Sequence, residues 1–198
     1  MRRPLVALLL LFGCASPPAS SPDPRPGVLW VCGGGTLAPE LLAEFVRDAG
    51  GGDARLVLIP GASRTAEEPE ALERQVARWR ERGVAEVVVL HSRDRAEADA
   101  ADFVAPLRSA TAVWFGGGDQ KRLAEVYAGT RVETEIKALL ARGGAVGGTS
   151  AGAAIQSRVM IGGRVLGAGG VTVVRATAAG EPESEFVAAG AVIEVGSR

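Results

Sequence analysis

Ala145-Val146-Gly147-Gly148-Thr149-Ser150-Ala151-Gly152-Ala153 is a short apolar run that breaks into glycines, presents one serine and continues in small residues suited to a helix. A serine in a G-x-S-x-G setting marks a sharp strand-to-helix turn, because small neighbours let the backbone bend enough to lift the hydroxyl out of the fold. The following amide, that of Ala151, then faces the point where negative charge develops on an attacked carbonyl. On this reading Ala145-Val146-Gly147 is a strand and Ser150 a candidate nucleophile. The competing reading makes Ser150 a plain N-cap after a glycine-rich packing turn.

The same strand, turn and helix grammar repeats upstream. Val28-Leu29-Trp30-Val31-Cys32 reads as the first strand, and the helix after it places Leu41, Leu42, Phe45 and Val46 on one face before Gly50-Gly51-Gly52. Leu56 to Ile59 is expected as the second strand, Glu67 to Arg82 as a charged amphipathic helix with Leu72, Val76 and Trp79 inward, and Glu86 to Leu90 as the third strand. A helix near Ala96 to Phe103 follows. Ala112-Val113-Trp114-Phe115 is the fourth strand, and helices at Gln120 to Tyr127 and Arg131 to Ala141 lead to the fifth.

Short valine- and leucine-rich strands alternating with longer helical segments predict an α/β fold: three layers, a mostly parallel sheet with helices on both faces, flavodoxin-like. Beyond Arg158 the pattern changes, and Val171 to Val174 and Ala191 to Val195 read as strands or a hairpin. The glycine-rich junctions Gly33-Gly34-Gly35, Pro60-Gly61, Gly116-Gly117-Gly118-Asp119 and Gly148-Thr149-Ser150 all fall at strand carboxyl ends, the edge where open α/β sheets bind ligands. Gly33-Gly34-Gly35 lacks G-x-G-x-x-G spacing and no acidic residue ends the second strand, so no dinucleotide site is expected.

Glycines after the first strand, Phe115-Gly116-Gly117-Gly118-Asp119-Gln120 after the fourth and Gly148-Thr149-Ser150-Ala151-Gly152-Ala153 after the fifth together resemble the serine peptidase family of cyanophycinase and aspartyl dipeptidase. The resemblance covers roughly Val28 to Met160. It implies a fold like the class I glutamine amidotransferases, Ser150 as nucleophile, backbone amides of Ala151, Gly118 and Asp119 as an oxyanion hole, and Gln120, Gly34 and Gly35 against the substrate. A small peptide, or an aspartate-rich one, is the implied substrate. Asp119 is equally well placed to cap the helix beginning at Gln120, and one residue can do both.

The resemblance also implies a histidine downstream of the nucleophile, in a segment like D-Q-H-F followed by arginines. No histidine follows Ser150 in this sequence, so the expectation is a C-terminally truncated or divergent member, a member that has lost catalysis, or another base. His91 is the single histidine. With the third strand beside the fourth, it would stand two strand spacings, roughly 10 Å, from the fifth.

With 198 residues and 47% hydrophobic content the chain can bury one substantial core. Its net charge is −1, and its arginines are scattered among acids, which excludes a basic nucleic-acid stripe. One histidine and two cysteines in separate contexts form no ligand cluster, so neither metal nor other cofactor is expected. Arg2 and Arg3 precede the apolar run Leu5 to Phe12, which ends at Gly13-Cys14. That is a signal-peptide pattern over residues 1–14, too short for a permanent span, and its end is similar to a lipobox with Cys14 as the acylated residue. A proline- and serine-rich tether over 15–27 and a folded domain over 28–198 complete the expected layout: an exported, membrane-anchored lipoprotein, periplasmic or surface-facing. Cys32 is expected as a small buried hydrophobe. An uncovered sheet edge favours association with a second copy.

Overall fold

The computed structural model describes residues 27–157, 159–162, 171–175 and 183–187. Cys14, the tether and the run at 191–195 lie outside them. Five parallel strands, β1 (Val28–Cys32), β2 (Arg55–Ile59), β3 (Glu86–Val89), β4 (Ala112–Phe115) and β5 (Ala145–Thr149), form one sheet in the order β1-β5-β4-β2-β3. Each buried strand alternates its side chains between two cores, as a pleated backbone requires. Leu56, Leu58, Trp114 and Ala145 face one core with Phe45, Val46 and Trp79; Val57, Ile59, Val113, Phe115 and Val146 face the other with Leu107, Leu123, Tyr127, Val132 and Leu139. Helices therefore cover both faces, and the chain has the three-layer, flavodoxin-like α/β fold.

Helices α1 (Pro39–Asp48) and α2 (Pro69–Glu81) pack on the first face. Each opens with a proline in its first turn, where the missing N–H is no loss. Phe45 anchors this side, its ring 4.8 Å from Trp114, 5.5 Å from Trp79 and 6.2 Å from Trp30. Phe45 and Val46 are buried as expected, but Leu41 is 43% exposed because it sits one turn further out than the aromatic cluster reaches.

On the other face lie α3 (Arg95–Ala98), α4 (Ala105–Ser109), α5 (Gln120–Tyr127), α6 (Arg131–Ala141) and α7 (Ala151–Ala154). The single helix expected over 96–103 is instead two short ones. Asp94 Oδ1 accepts the Ala96 amide and starts α3 early, while Pro106 cannot continue a helix from upstream and begins a new one. A second sheet, antiparallel, joins β6 (Val159–Gly162), β7 (Val171–Arg175) and β8 (Glu183–Val187). β7 contains the run read as a strand at 171–174.

The strand order corrects one expectation. β3 is an edge strand paired with β2, and it is β2, not β3, that lies beside β4. The chain leaves β2 toward β3 on one side and returns to β4 on the other, so its direction reverses between β2 and β4. Such a reversal opens a crevice at the carboxyl ends of the two strands.

Candidate active site

Ser150 ends β5 and precedes α7, with φ 55° and ψ −112°. Among the described residues it is the only non-glycine with positive φ. A side-chain-bearing residue is held there only when its surroundings over-determine it, and here they do. The Ser150 amide donates to Cys32 O at 3.1 Å, its carbonyl accepts from Ala153 and Ala154 at 3.0 Å, and Thr149 Oγ1 donates to Gly33 O at 2.7 Å. Gly148 and Gly152 let the turn close: a Cβ on Gly148 would overlap the Gly152 carbonyl, and one on Gly152 would overlap that of Phe115. The Ser150 side chain is exposed and makes no capping hydrogen bond. Ser150 thus stands at the N-cap position of α7 without capping it through its side chain, and the geometry is that of a sharp strand-to-helix elbow.

Neighbouring loops converge on the serine. A Cβ built on Gly117 would stand 3.6 Å from Ser150 Cβ, and one on Gly34 would stand 4.0 Å away. Gly34 thus borders the site from the β1 side and Gly117 from the β4 side, whereas a Cβ on Gly35 would meet nothing within 4 Å. Among the described residues the amides of Gly117, Gly118 and Ala151 donate to no acceptor, so they remain able to receive an oxyanion. Gly118, at φ 144°, lies so close to Ala62 that only glycine fits.

Asp119 fills one of its two expected roles and not the other. Its amide donates to Ala62 O at 3.0 Å, which removes it from the oxyanion donors, and its Oδ1 accepts the Lys121 amide at 3.0 Å and caps α5. Capping is therefore the role the structure gives it. Gln120, half-buried, opens α5 beside the same loop. Sequence reasoning passed over Gly117, the member of the glycine triplet nearest Ser150, and Thr149, whose hydroxyl ties β5 to the Gly33 turn. The triplet itself was the signal for the first; nothing in the sequence pointed to the second.

His91 lies at the end of β3, three strand spacings or roughly 14 Å across the sheet from β5, not two. Its Nε2 stands 3.4 Å from Glu67 Oε1, and its Nδ1 is buried with no partner among the described residues. Burial holds its pKa below the usual histidine value, opposed by the Glu67 carboxylate and assisted by Arg93. His91 is not the base for Ser150. Cys32 is half-exposed on the edge strand β1, and burial raises its thiol pKa, so it is neither the fully buried side chain expected nor a thiolate.

Three grooves among the described residues lie beyond the elbow, a small one at the amino ends of β2 and β3 and two others. One of about 380 Å³, lined by apolar side chains such as Leu29, Ile136, Leu140 and Met160, touches neither Ser150 nor its glycine loops. The other lies among helix α5 and the residues that follow β2 and β3, with Arg64, Glu67, Arg93, Arg122 and Glu125 in its lining.

Known proteins share these features. The chain is 38% identical over 126 residues to a cyanophycinase of Geminocystis herdmanii (strain PCC 6308), an alignment covering 63% of this chain and 45% of that protein. It is 38% identical over 124 residues to a cyanophycinase of Synechococcus elongatus, covering 62% and 38% respectively. The chain thus spans less than half the length of these curated relatives. Among solved structures, a peptidase from an acI-B1 actinobacterium superposes with a TM-score of 0.52 and 26% identity, covering 70% of this chain and 59% of the other. The model of peptidase family S51 matches residues 30–172, well over half of the 198, and the chain belongs to that family.

Proposed function

We propose that this protein is a cyanophycinase-like serine peptidase that cleaves an amide bond in a small or aspartate-rich peptide through an acyl-enzyme on Ser150. The observation that carries this reading is the backbone of Ser150, held at φ 55° with its hydroxyl exposed beside unpartnered amides. Ser150 Oγ attacks the amide carbon, and the oxyanion settles on the amides of Ala151 and the Gly117-Gly118 turn. The C–N bond then breaks, the serine proton ends on the departing amine, and water hydrolyses the ester to restore Ser150. α7 adds only a weak dipole, since it is four residues long.

The test is labelling by a fluorophosphonate probe. We expect Ser150 to be modified in the unaltered chain and not in Ser150→Ala, together with hydrolysis of a β-aspartyl dipeptide that vanishes in the same variant. A second reading rests on the distance of His91 from the elbow: a noncatalytic member that binds a peptide or carboxylate ligand at the glycine-lined edge. Ligand-induced stabilisation with neither labelling nor turnover would decide for it. The sequence Arg2 to Cys14 supports export and lipid anchoring through Cys14, a proposal that metabolic labelling with a tagged palmitate and a Cys14→Ser control would test. Association with a second copy is proposed from β1, where Leu29 and Val31 are 53% and 65% exposed, and sedimentation would test it.

A further inference from the structure

Four consecutive carbonyls in the loop after β2 are each taken by a donor. Pro60 O accepts the Ser63 amide at 2.8 Å, Gly61 O accepts Arg93 Nη1 at 2.6 Å, Ala62 O accepts the Asp119 amide at 3.0 Å and Ser63 O accepts Arg93 Nη2 at 2.9 Å. Arg93 thus grips the carbonyls on either side of Ala62, and the loop carrying Gly117 and Gly118 is seated on the carbonyl between them. The seat is close: a Cβ on Gly118 would stand 2.2 Å from Ala62 O, while one on Gly117 would stand 3.6 Å from Ser150 Cβ. The path from Arg93 to the serine therefore runs through one residue of the β2 loop and one turn of the β4 loop.

Arg93 is itself held. Its Nε donates to Glu67 Oε1 at 2.9 Å, and that hydrogen bond, seconded by one from His91, keeps the Glu67 carboxyl below the usual carboxylate range. An ion pair this open, with the arginine 36% and the glutamate 64% exposed, contributes little stability by itself. Its consequence is geometric: with Nε engaged, the planar guanidinium presents Nη1 and Nη2 as a fixed fork. The fork meets a loop that needs one, because glycine constrains its own backbone least and the orientation of the Gly61–Ala62 peptide is set by what its carbonyl meets.

We propose that Arg93 is a positioning residue for the oxyanion loop: by clamping Gly61 O and Ser63 O it fixes the Ala62 carbonyl, and with it the place of the Gly117-Gly118 turn beside Ser150. The inference rests on Ser150 being a nucleophile served by that turn, and adds what holds the turn in place. Arg93 touches neither Ser150 nor the Gly116–Asp119 loop directly, so its effect passes through Ala62 alone. Oxyanion donors act only when already aimed at the charge that develops, and a misplacement of about 1 Å is enough to cost a large part of a rate.

Two readouts test this, one of them independent of chemistry. Hydrogen exchange at the Asp119 amide reports whether the loop stays on its seat, with Val113 and Val146 in the strand ladder as references for an intact fold. In Arg93→Ala we expect exchange at Asp119 to quicken roughly tenfold or more while both references keep their protection. Fluorophosphonate labelling of Ser150 should slow roughly ten- to a hundredfold, and in dipeptide hydrolysis kcat and kcat/KM should fall by the same factor. Arg93→Lys, which keeps the charge and loses the fork, should fall between Arg93→Ala and the parent in both readouts. Val132→Ala, a buried truncation on α6, controls for lost stability: it lowers Tm and leaves the labelling rate unchanged.

Unchanged exchange at Asp119 in Arg93→Ala would overturn the proposal, as would faster exchange with an unaltered labelling rate, or equal slowing by Val132→Ala. If the unaltered chain is not labelled at all while Arg93→Ala quickens exchange at Asp119, the nucleophile is refuted and the clamp stands.

Discussion

Replacing Ser150 by glycine should make the protein more stable while removing its nucleophile. At φ 55° and ψ −112° a residue with a Cβ is strained, and holding one there costs roughly 1–3 kcal/mol. Glycine occupies that region freely but gains freedom in the unfolded chain, which returns about 0.4–1 kcal/mol of the benefit. The net expectation is about 1 kcal/mol, or a rise in Tm of roughly 2–4 °C for a chain of this size. Ser150→Ala supplies the comparison. It keeps the Cβ and its strain and removes only an exposed hydroxyl that makes no cap, so its stability should stay within about 0.5 kcal/mol of the parent. Differential scanning calorimetry of the three proteins separates the hydroxyl, lost from Ser to Ala, from the Cβ, lost from Ala to Gly. A glycine variant no more stable than the alanine variant would refute the idea that the elbow stores strain.

Tyr127 is buried with its hydroxyl accepting the Ser92 amide at 3.1 Å and donating to the Ser92 carbonyl at 3.3 Å, so Tyr127→Phe strands two buried backbone groups and should lose roughly 1–3 kcal/mol, read as a fall in urea midpoint at unchanged slope. For His91, burial is the largest influence and lowers the pKa, the Glu67 hydrogen bond opposes it, Arg93 assists and Glu97 opposes. The unfolded chain then binds a proton more readily than the folded one, so the stability this residue contributes is complete above about pH 6.5 and is lost as pH falls below it. The chain has one histidine, so a single ring-proton resonance reports its titration, with a midpoint expected below 6.5; a midpoint above it would mean that the Glu67 pairing wins.

Four of the five strands were legible as apolar runs ended by glycine or proline, β3 by its valine run after Gly83 alone, and all five lie within two residues of where their composition places them. Their order was not, since parallel strands buried on both faces carry no mark of their neighbours: Glu86–Val89 reads the same at an edge as beside β4. At the site, Ser150 and Ala151 were readable from the elbow. The engagement of the Asp119 amide was not, because it depends on how closely the β2 and β4 loops approach, which brings Ala62 under Gly118. The grip of Arg93 on the β2 loop was likewise invisible, since an H-S-R-D run looks like any solvated turn after a strand until its neighbours are placed.

Among the described residues the first strand of the sheet is joined to it through the last. β1 pairs there with β5 alone, and Gly33 meets the hydroxyl of Thr149, 116 residues later. At roughly 5–20 residues per second, a ribosome takes about 6–23 s to cover that interval. Throughout it Val28–Cys32 waits as an apolar strand with both edges open, the state in which a chain most readily pairs with a neighbour or is held by a chaperone. The nascent chain therefore acquires its serine elbow and closes its sheet in one late event, and a protein stalled before residue 149 would be both inactive and sticky.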